Sequence, residues 1–264
     1  RKFQAPDTMM NRILKQLKSG DTDVNRKLKS LFEFTRISDE SLSPQSTFIN
    51  LWIGIESFVQ SKEFDGGIEN VKMVVSSFAT HNYIYSLIKN FLEDWNRCEL
   101  ELVFEERSYK IGKLSPQEAL YLLWDNDFLN KMNLESKSLN ILLSYRFKEL
   151  CHVLKDGKKC ASLLEQHKGK VQQHVHRLYR IRNSIVHAGQ MQYSNTNLFI
   201  KHLYEYIEYA MSVVIYRLEE EPTASLEQIF AQVRDSVEAT IETLSNSRLL
   251  DQDTYFNLIL KGAF

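Results

Sequence analysis

The chain has 264 residues, of which 43% are hydrophobic and 25% charged, a composition that is ordinary for a folded protein and excludes a disordered one. Its formal net charge of -1 excludes the global basic field of a nucleic-acid scaffold, although a local basic patch remains compatible with that balance. No stretch approaches the ~20 apolar residues that span a bilayer, and no signal peptide is visible. We therefore expect a cytoplasmic protein with no membrane partner.

The first residues are charged and predict a helical region over 1–40, with helices at 8–18 and 22–36. The chain begins with Arg1 rather than methionine, which indicates a piece of a longer protein. An upstream sensor domain or regulator is therefore an expected partner of this chain.

The segment 45–61 is apolar on nearly every side of a helix, which predicts a central, buried helix. Glu56 is its only ionisable residue. A carboxylate in such a setting needs a hydrogen-bonded or charged partner, unless it lies on a narrow exposed stripe. Both interpretations stay open, and the first predicts that Glu56 holds a cation from another helix.

Beyond this helix, recurring i, i+3, i+4 patterns predict an all-α chain. Capping-box patterns at Ser115–Glu118 and Ser225–Gln228 mark two helix starts. The segment 103–114 is the one place where a short strand pair is expected as an alternative. The acidic and proline-containing segment 219–224 is the best linker, so the main helical domain is predicted over 41–220 and a C-terminal helical appendage over 221–264. The remaining predicted helices are 67–79, 82–106, 116–125, 136–155, 159–188, 196–219, 225–247 and 252–261.

Three cysteines, an odd number with no close pairing, predict reduced thiols rather than a disulfide framework. Cys151, His152 and Cys160 are close in sequence, but structural zinc needs four ligands in tight pairs. His174, His176 and His187 have no acidic residue among them. The sequence therefore predicts neither a metal site nor a cofactor.

The segment His174–Gly189 carries the strongest chemical signal. On an ideal helix of about 100° per residue, His176, Asn183 and His187 fall together opposite the apolar stripe, and Asn183 and His187 are i, i+4 neighbours whose side chains can touch. Arg182 lies on the flank of that stripe, within reach of an acidic partner such as Glu56 and roughly 140° from His187. The length of the arginine side chain, a distorted last turn before Gly189, or contributions from two subunits would bring the arginine and the histidine together. The predicted apolar stripe is Val171, Val175, Leu178, Ile181, Ile185 and Ala188.

The order Arg182, Asn183, three residues, His187, then Ala188-Gly189 resembles the signature of HEPN-domain ribonucleases. The helix Phe48–Phe58, with its tryptophan and its Ile-Glu pair, resembles the first signature helix of the ApeA-like HEPN subgroup. This resemblance spans roughly 45–218. It implies a HEPN-like helical bundle with additional N- and C-terminal helices that forms a homodimer, in which two Arg–His motifs meet in one composite cleft.

The resemblance also implies a metal-independent endoribonuclease, acting as a phage-defence (abortive infection) effector or toxin on RNA, with tRNA as one candidate. In such an enzyme the 2′-hydroxyl attacks the neighbouring phosphodiester. His187 suits proton transfer because the ordinary pKa of histidine lies near neutrality, and Arg182 suits the charge on the phosphorane because its fork stays charged. Asn183 would orient His187 or the phosphate, and Glu56 would support the site.

The motif also has a non-catalytic interpretation. An arginine and a histidine near a helix end can simply cap carbonyls, so a non-catalytic HEPN-like dimerisation and nucleotide- or partner-binding module is the alternative.

HEPN toxins that a nucleotidyltransferase antitoxin silences carry a tyrosine two places after the histidine, where this chain has Gly189. The basic run before the motif is either a solvated face or a lead-in for RNA, with Tyr179 available for stacking. That run consists of Lys155, Lys158, Lys159, Lys168, Lys170, Arg177 and Arg180.

Overall fold

The computed structural model describes residues 22–60, 67–99, 101–188, 196–246 and 251–260. These ranges contain eleven α-helices and one two-stranded sheet, so the predicted all-α class is confirmed. The helix predicted over 8–18 lies outside the described residues. Within the ranges above, no helix combines the length and the apolar character that crossing a membrane requires.

The helices are numbered here in chain order. They are α1 (Thr22–Glu40), α2 (Pro44–Val59), α3 (Gly67–His81), α4 (Tyr83–Arg97), α5 (Pro116–Trp124), α6 (Asn126–Leu139), α7 (Ile141–Leu154), α8 (Gly157–Ala188), α9 (Thr196–Glu220), α10 (Leu226–Ser245) and α11 (Gln252–Ile259). Strands β1 (Glu101–Phe104) and β2 (Arg107–Lys110) pair antiparallel, with Glu101 opposite Lys110 and Phe104 opposite Arg107.

The chain forms two compact units that alternate along the sequence. The first is Arg1–Ala79 with Lys168–Asp235, and the second is Thr80–His167 with Ser236–Phe264. The predicted divisions at 1–40, 41–220 and 221–264 follow chain order and do not coincide with these units. The physical reason is that α8 and α10 each bury residues of one end in the first core and residues of the other end in the second.

Helix α2 lies in the core of the first unit, as its apolar sequence predicts. Ser43 caps its first turn by accepting from the backbone N–H of Ser46, and Pro44 occupies the first helical position. Gly54 allows α1 to approach closely, since a Cβ at this position would lie 3.1 Å from Cβ of Phe34. The buried residues of α2 are Phe48, Leu51, Trp52, Gly54, Ile55, Phe58 and Val59.

The second unit corrects two predicted helices. The helix predicted over 82–106 ends at Arg97, and the expected alternative of a strand pair in this region is confirmed by β1 and β2. The helix predicted over 136–155 is interrupted at Asn140, whose side chain accepts from the backbone N–H groups of Leu142 and Leu143 and so starts a new helix.

Both predicted capping boxes are confirmed. The Ser115 hydroxyl accepts from the Glu118 N–H, and the Glu118 carboxylate accepts from the Ser115 N–H. Ser225 and Gln228 form the same reciprocal pair at the start of α10. Each box satisfies two backbone donors that the first helical turn leaves free, which explains why these helices begin where they do.

Candidate functional site

The candidate site lies on the last turns of α8, in the first unit. Four positions of the predicted apolar stripe are at most 5% exposed, and Ile185 is half-buried. This buried side holds α8 against the core and leaves the opposite side to solvent. The side chain of Ala188, like Gly189, is outside the described part of the chain. The buried stripe positions are Val171, Val175, Leu178 and Ile181.

Arg182 and Asn183 are joined directly. Nη1 of Arg182 donates a hydrogen bond to Oδ1 of Asn183 over 3.0 Å, and both side chains are half-buried. The Nε of Arg182 is buried and finds no hydrogen-bond acceptor among the described residues. An unpaired buried donor is costly, and an arginine that uses one of five N–H donors retains capacity for an anion.

His187 is exposed near the end of α8 and forms no hydrogen bond with any residue that the structure describes. On the helix it lies about 40° from Asn183, one turn away, whereas Arg182 projects from the far side. The bond to Asn183 therefore joins Arg182 to the residue that shares a side of the helix with His187.

Glu56 has a different partner from the predicted one. Its Oε2 accepts from Nε1 of Trp52 over 3.2 Å, and no ion pair joins it to Arg182, although both residues are described. A Cβ on Gly67 would lie 3.3 Å from its Oε1, so the carboxylate stands beside the first residue of α3. The positive end of that helix dipole stabilises an anion there, which explains why Glu56 needs no cation.

Trp52 connects Glu56 to the helix that carries the motif. Its ring lies 5.9 Å from that of Tyr179, centroid to centroid, with the planes tilted by 43°. Tyr179 is half-buried by this contact, which gives it a packing role and turns its ring away from the exposed side of α8. The sequence did not single out Trp52 as the link, because only the packing of α2 on α8 brings the two rings together.

The exposed side of α8 is basic. Lys170, Arg177, Arg180 and His187 are all exposed and fall within about 100° of one another on the helix, over a length of about 25 Å. We call these four residues the basic stripe. From Gln166 to Tyr204 the sequence contains no aspartate or glutamate, so no acidic residue of this segment offsets the charge. A chain of net charge -1 therefore concentrates positive charge beside the candidate site.

A second group of polar rings lies in the middle of α8 and on α9. Nδ1 of His174 is 2.7 Å from the hydroxyl of Tyr206, and the ring of His202 meets His174 edge to face at 4.8 Å. Burial, followed by the positive charge of neighbouring His202 and Arg177, lowers the pKa of His174 to about 4. His174 is therefore neutral at physiological pH, and the tautomer of its ring decides whether Nδ1 donates to or accepts from the Tyr206 hydroxyl.

Metal-ligating side chains do not cluster in the described ranges, where no group of three or more could hold an ion. Cys160 donates to the carbonyl of Val153 and accepts from Tyr255, and the ring of His152 contacts Lys159 instead of a thiol. Burial raises the pKa of Cys151 to about 12 and that of Cys160 to about 11, so both thiols stay protonated.

Compared with family models, curated proteins and solved structures, the chain matches none. The resemblance to HEPN ribonucleases therefore stays a prediction from the motif residues.

Proposed function

We propose that the protein is a metal-independent endoribonuclease that uses Arg182, Asn183 and His187. The observation that supports this best is the hydrogen bond from Arg182 to Asn183, which joins the guanidinium group to the residue that shares a side of α8 with the exposed His187. Arg182 is half-buried and free of Glu56, so its charge is available to a substrate anion. An arginine consumed by an internal carboxylate would have favoured the non-catalytic module instead.

The proposed reaction is attack of a ribose 2′-hydroxyl on the adjacent phosphorus. His187 takes the 2′ proton as the new O–P bond forms, the bond from phosphorus to the 5′-oxygen breaks, and the leaving oxygen receives a proton. The products are a 2′,3′-cyclic phosphate and a 5′-hydroxyl. Arg182 stabilises the charge that builds up on the phosphorane oxygens, and Asn183 holds Arg182 in place.

The basic stripe supplies the binding surface in this proposal. Three permanent cations line the exposed side of α8 towards His187, and backbone phosphates bind such a row through charge with little dependence on base sequence. We further propose that two copies form a homodimer with a composite site, and that the activity serves phage defence as an effector or toxin, with tRNA as one candidate RNA.

Cleavage of a defined RNA in excess EDTA tests the chemistry. We expect cleavage products with cyclic phosphate ends, and no cleavage at a linkage whose ribose is replaced by 2′-deoxyribose. His187→Ala should abolish cleavage, whereas His176→Ala, which removes an exposed imidazole elsewhere on α8, should not. A His187→Ala protein that cleaves as well as the wild type would remove His187 from the mechanism.

Toxicity in a bacterial host is the second test. Wild-type protein should slow growth on expression, and Arg182→Ala should not, at equal protein levels. RNA binding and dimer formation with no cleavage under any of these conditions would identify the non-catalytic binding module instead.

A further inference from the structure

A cleft of about 480 Å³ lies between α4 and α7 and is open to solvent. Its residues all belong to the second unit, and none is part of the proposed nuclease site. The volume falls in the range of small-molecule sites in proteins. What the cleft could bind is decided by three properties of its lining: apolar surface, aromatic rings and charge.

The floor of the cleft is apolar. Leu87 from α4, Leu150 and Val153 from α7, and Leu163 from α8 line it, and all four are half-buried, so each presents part of its surface to the cleft. Apolar surface left in contact with water favours a ligand with an apolar body, because binding removes both surfaces from water.

Two tyrosines stand beside this floor. The ring of Tyr83 stacks on that of His167, with centroids 3.6 Å apart and planes 11° apart, which holds it in one orientation. Burial raises the pKa of Tyr83, so its phenol is neutral at physiological pH. Tyr145 is 61% exposed and able to adjust to a ligand. Aromatic faces attract cations and stack on planar groups.

Three charged side chains line the cleft, Asp94, Arg146 and Glu149, and one of the two carboxylates has no partner among the described residues. Asp94 accepts from Arg146 at 2.8 Å and from Arg97 at 3.3 Å, so its charge is neutralised within the protein. Glu149 also lines the cleft, is exposed, and forms neither a hydrogen bond nor an ion pair with any described residue. A carboxylate without a partner beside aromatic rings favours a positively charged ligand.

We propose that this cleft binds a small organic cation, with a flat, apolar body against Leu87, Leu150 and the tyrosine rings and a positively charged nitrogen near Glu149. The ligand class follows from the combination, since apolar surface alone would accept a neutral compound equally well. The proposal is independent of RNA cleavage, because the cleft and the motif lie in different units.

The test compares three dyes on the full chain by fluorescence titration. Thioflavin T is a flat cation, 2-(4-methylaminophenyl)benzothiazole is its neutral analogue, and 1-anilinonaphthalene-8-sulfonate is an anion. We expect thioflavin T to bind about fivefold more tightly than the neutral analogue, the size of one exposed charge pair, and the anion to bind least. Equal binding of all three dyes, or no binding of thioflavin T, would overturn the proposal.

Variants locate the binding. Glu149→Gln should weaken thioflavin T binding about fivefold and leave the neutral analogue unchanged, while Glu165→Gln, an exposed carboxylate that does not line the cleft, should change neither. Leu150→Trp, which fills the cleft, should weaken both dyes. Tyr145→Ala, at an exposed position that folding tolerates, should do the same. Unchanged thioflavin T binding by Glu149→Gln and Tyr145→Ala would place the dye elsewhere and refute the assignment.

Discussion

Arg182 and Asn183 are neighbours in sequence, and their side chains form a 3.0 Å hydrogen bond, which joins the guanidinium group to a residue on the same side of the helix as His187. In a regular helix, adjacent residues point about 100° apart, so such a bond requires the long arginine to reach across the helix surface. Asn183, the polar residue after the arginine, therefore has a structural role in the proposal, because it positions the cation that the proposed reaction needs.

Removing the hydrogen bond between Arg182 and Asn183 should reduce the kcat of RNA cleavage more than the affinity for RNA. Asn183→Ala is expected to lower the kcat of RNA cleavage by about tenfold to a hundredfold, because the guanidinium group loses its fixed position, and to change KM by less than about twofold. Steady-state rates over a range of RNA concentrations measure both constants. Gln173→Ala, at an exposed position on the same helix, is the matched control and should retain wild-type kcat. An Asn183→Ala protein with full kcat would show that the hydrogen bond has no part in catalysis.

Substitutions in the basic stripe should have the opposite effect and weaken RNA binding more than they reduce kcat. Arg177→Gln and Arg180→Gln are each expected to weaken RNA binding and to reduce the salt dependence of log Kd by about 0.7 per lost phosphate contact, with kcat little changed. Filter binding from 50 to 300 mM salt would measure both quantities. Arg36→Gln removes an exposed cation that already pairs with Glu33 and Glu40 on α1, so its salt slope should equal that of the wild type. Equal slopes in all the variants would exclude the stripe as the binding surface.

Periodicity predicted α2 and α8 well, because both helices repeat apolar residues over many turns and bury them. The break at Asn140 and the end of α4 at Arg97 were missed, since a single side-chain cap or a tight hairpin outweighs helical propensity locally. The hydrogen bond from Trp52 to Glu56 was not predicted, although the two residues have i, i+4 spacing on α2. The nearness of the Glu56 carboxylate to Gly67 at the start of α3 could not be predicted from any spacing within 45–61.

In the candidate site, too, some features were predicted from the sequence and others were not. Sequence alone placed Asn183 and His187 on one side of α8 and Arg182 on another, and this helical projection holds in the structure. The bond between Arg182 and Asn183 could not be read from it, because the choice among arginine rotamers depends on the packing around α8. Tyr179 illustrates the converse, as its ring is occupied by Trp52 from a helix far away in sequence.

His174 should make stability depend on pH. Its pKa is about 4 in the folded protein and near 6.5 when unfolded, so between these values the unfolded chain binds more protons. The contribution of neutral His174 is fully present above pH 6.5, and we expect it to be lost as the pH falls from 6.5 to 4. His174→Gln, which can still accept from Tyr206, should flatten the decline of Tm in this window. The exposed His176→Gln should leave the decline unchanged, and an identical decline in His174→Gln would contradict the prediction.

Two glycines should respond in opposite directions to alanine. Around Gly169 in α8 a Cβ would meet nothing within 4 Å, so Gly169→Ala should raise the free energy of unfolding by about 0.5–1 kcal/mol through helix propensity. At Gly112 a Cβ would lie 2.3 Å from Cα of Asn96, so backbone must move, and Gly112→Ala should destabilise by about 1–3 kcal/mol. Thermal unfolding of the two variants measures both effects. A Tm of Gly169→Ala below that of the wild type would contradict the prediction that alanine fits this position of the helix without strain.

The three thiols should react at very different rates. Cys98 is exposed, whereas burial raises the pKa of Cys151 to about 12 and of Cys160 to about 11. Because the thiolate is the reactive species, iodoacetamide at pH 8 should modify Cys98 at least about a hundredfold faster than the other two. Mass spectrometry of peptides over time gives the three rates, and unfolding in denaturant should make them equal, since burial is their physical cause. Rapid modification of native Cys160 would mean that the contact between Tyr255 and its thiol opens readily, and that the second core is less closed than its packing indicates.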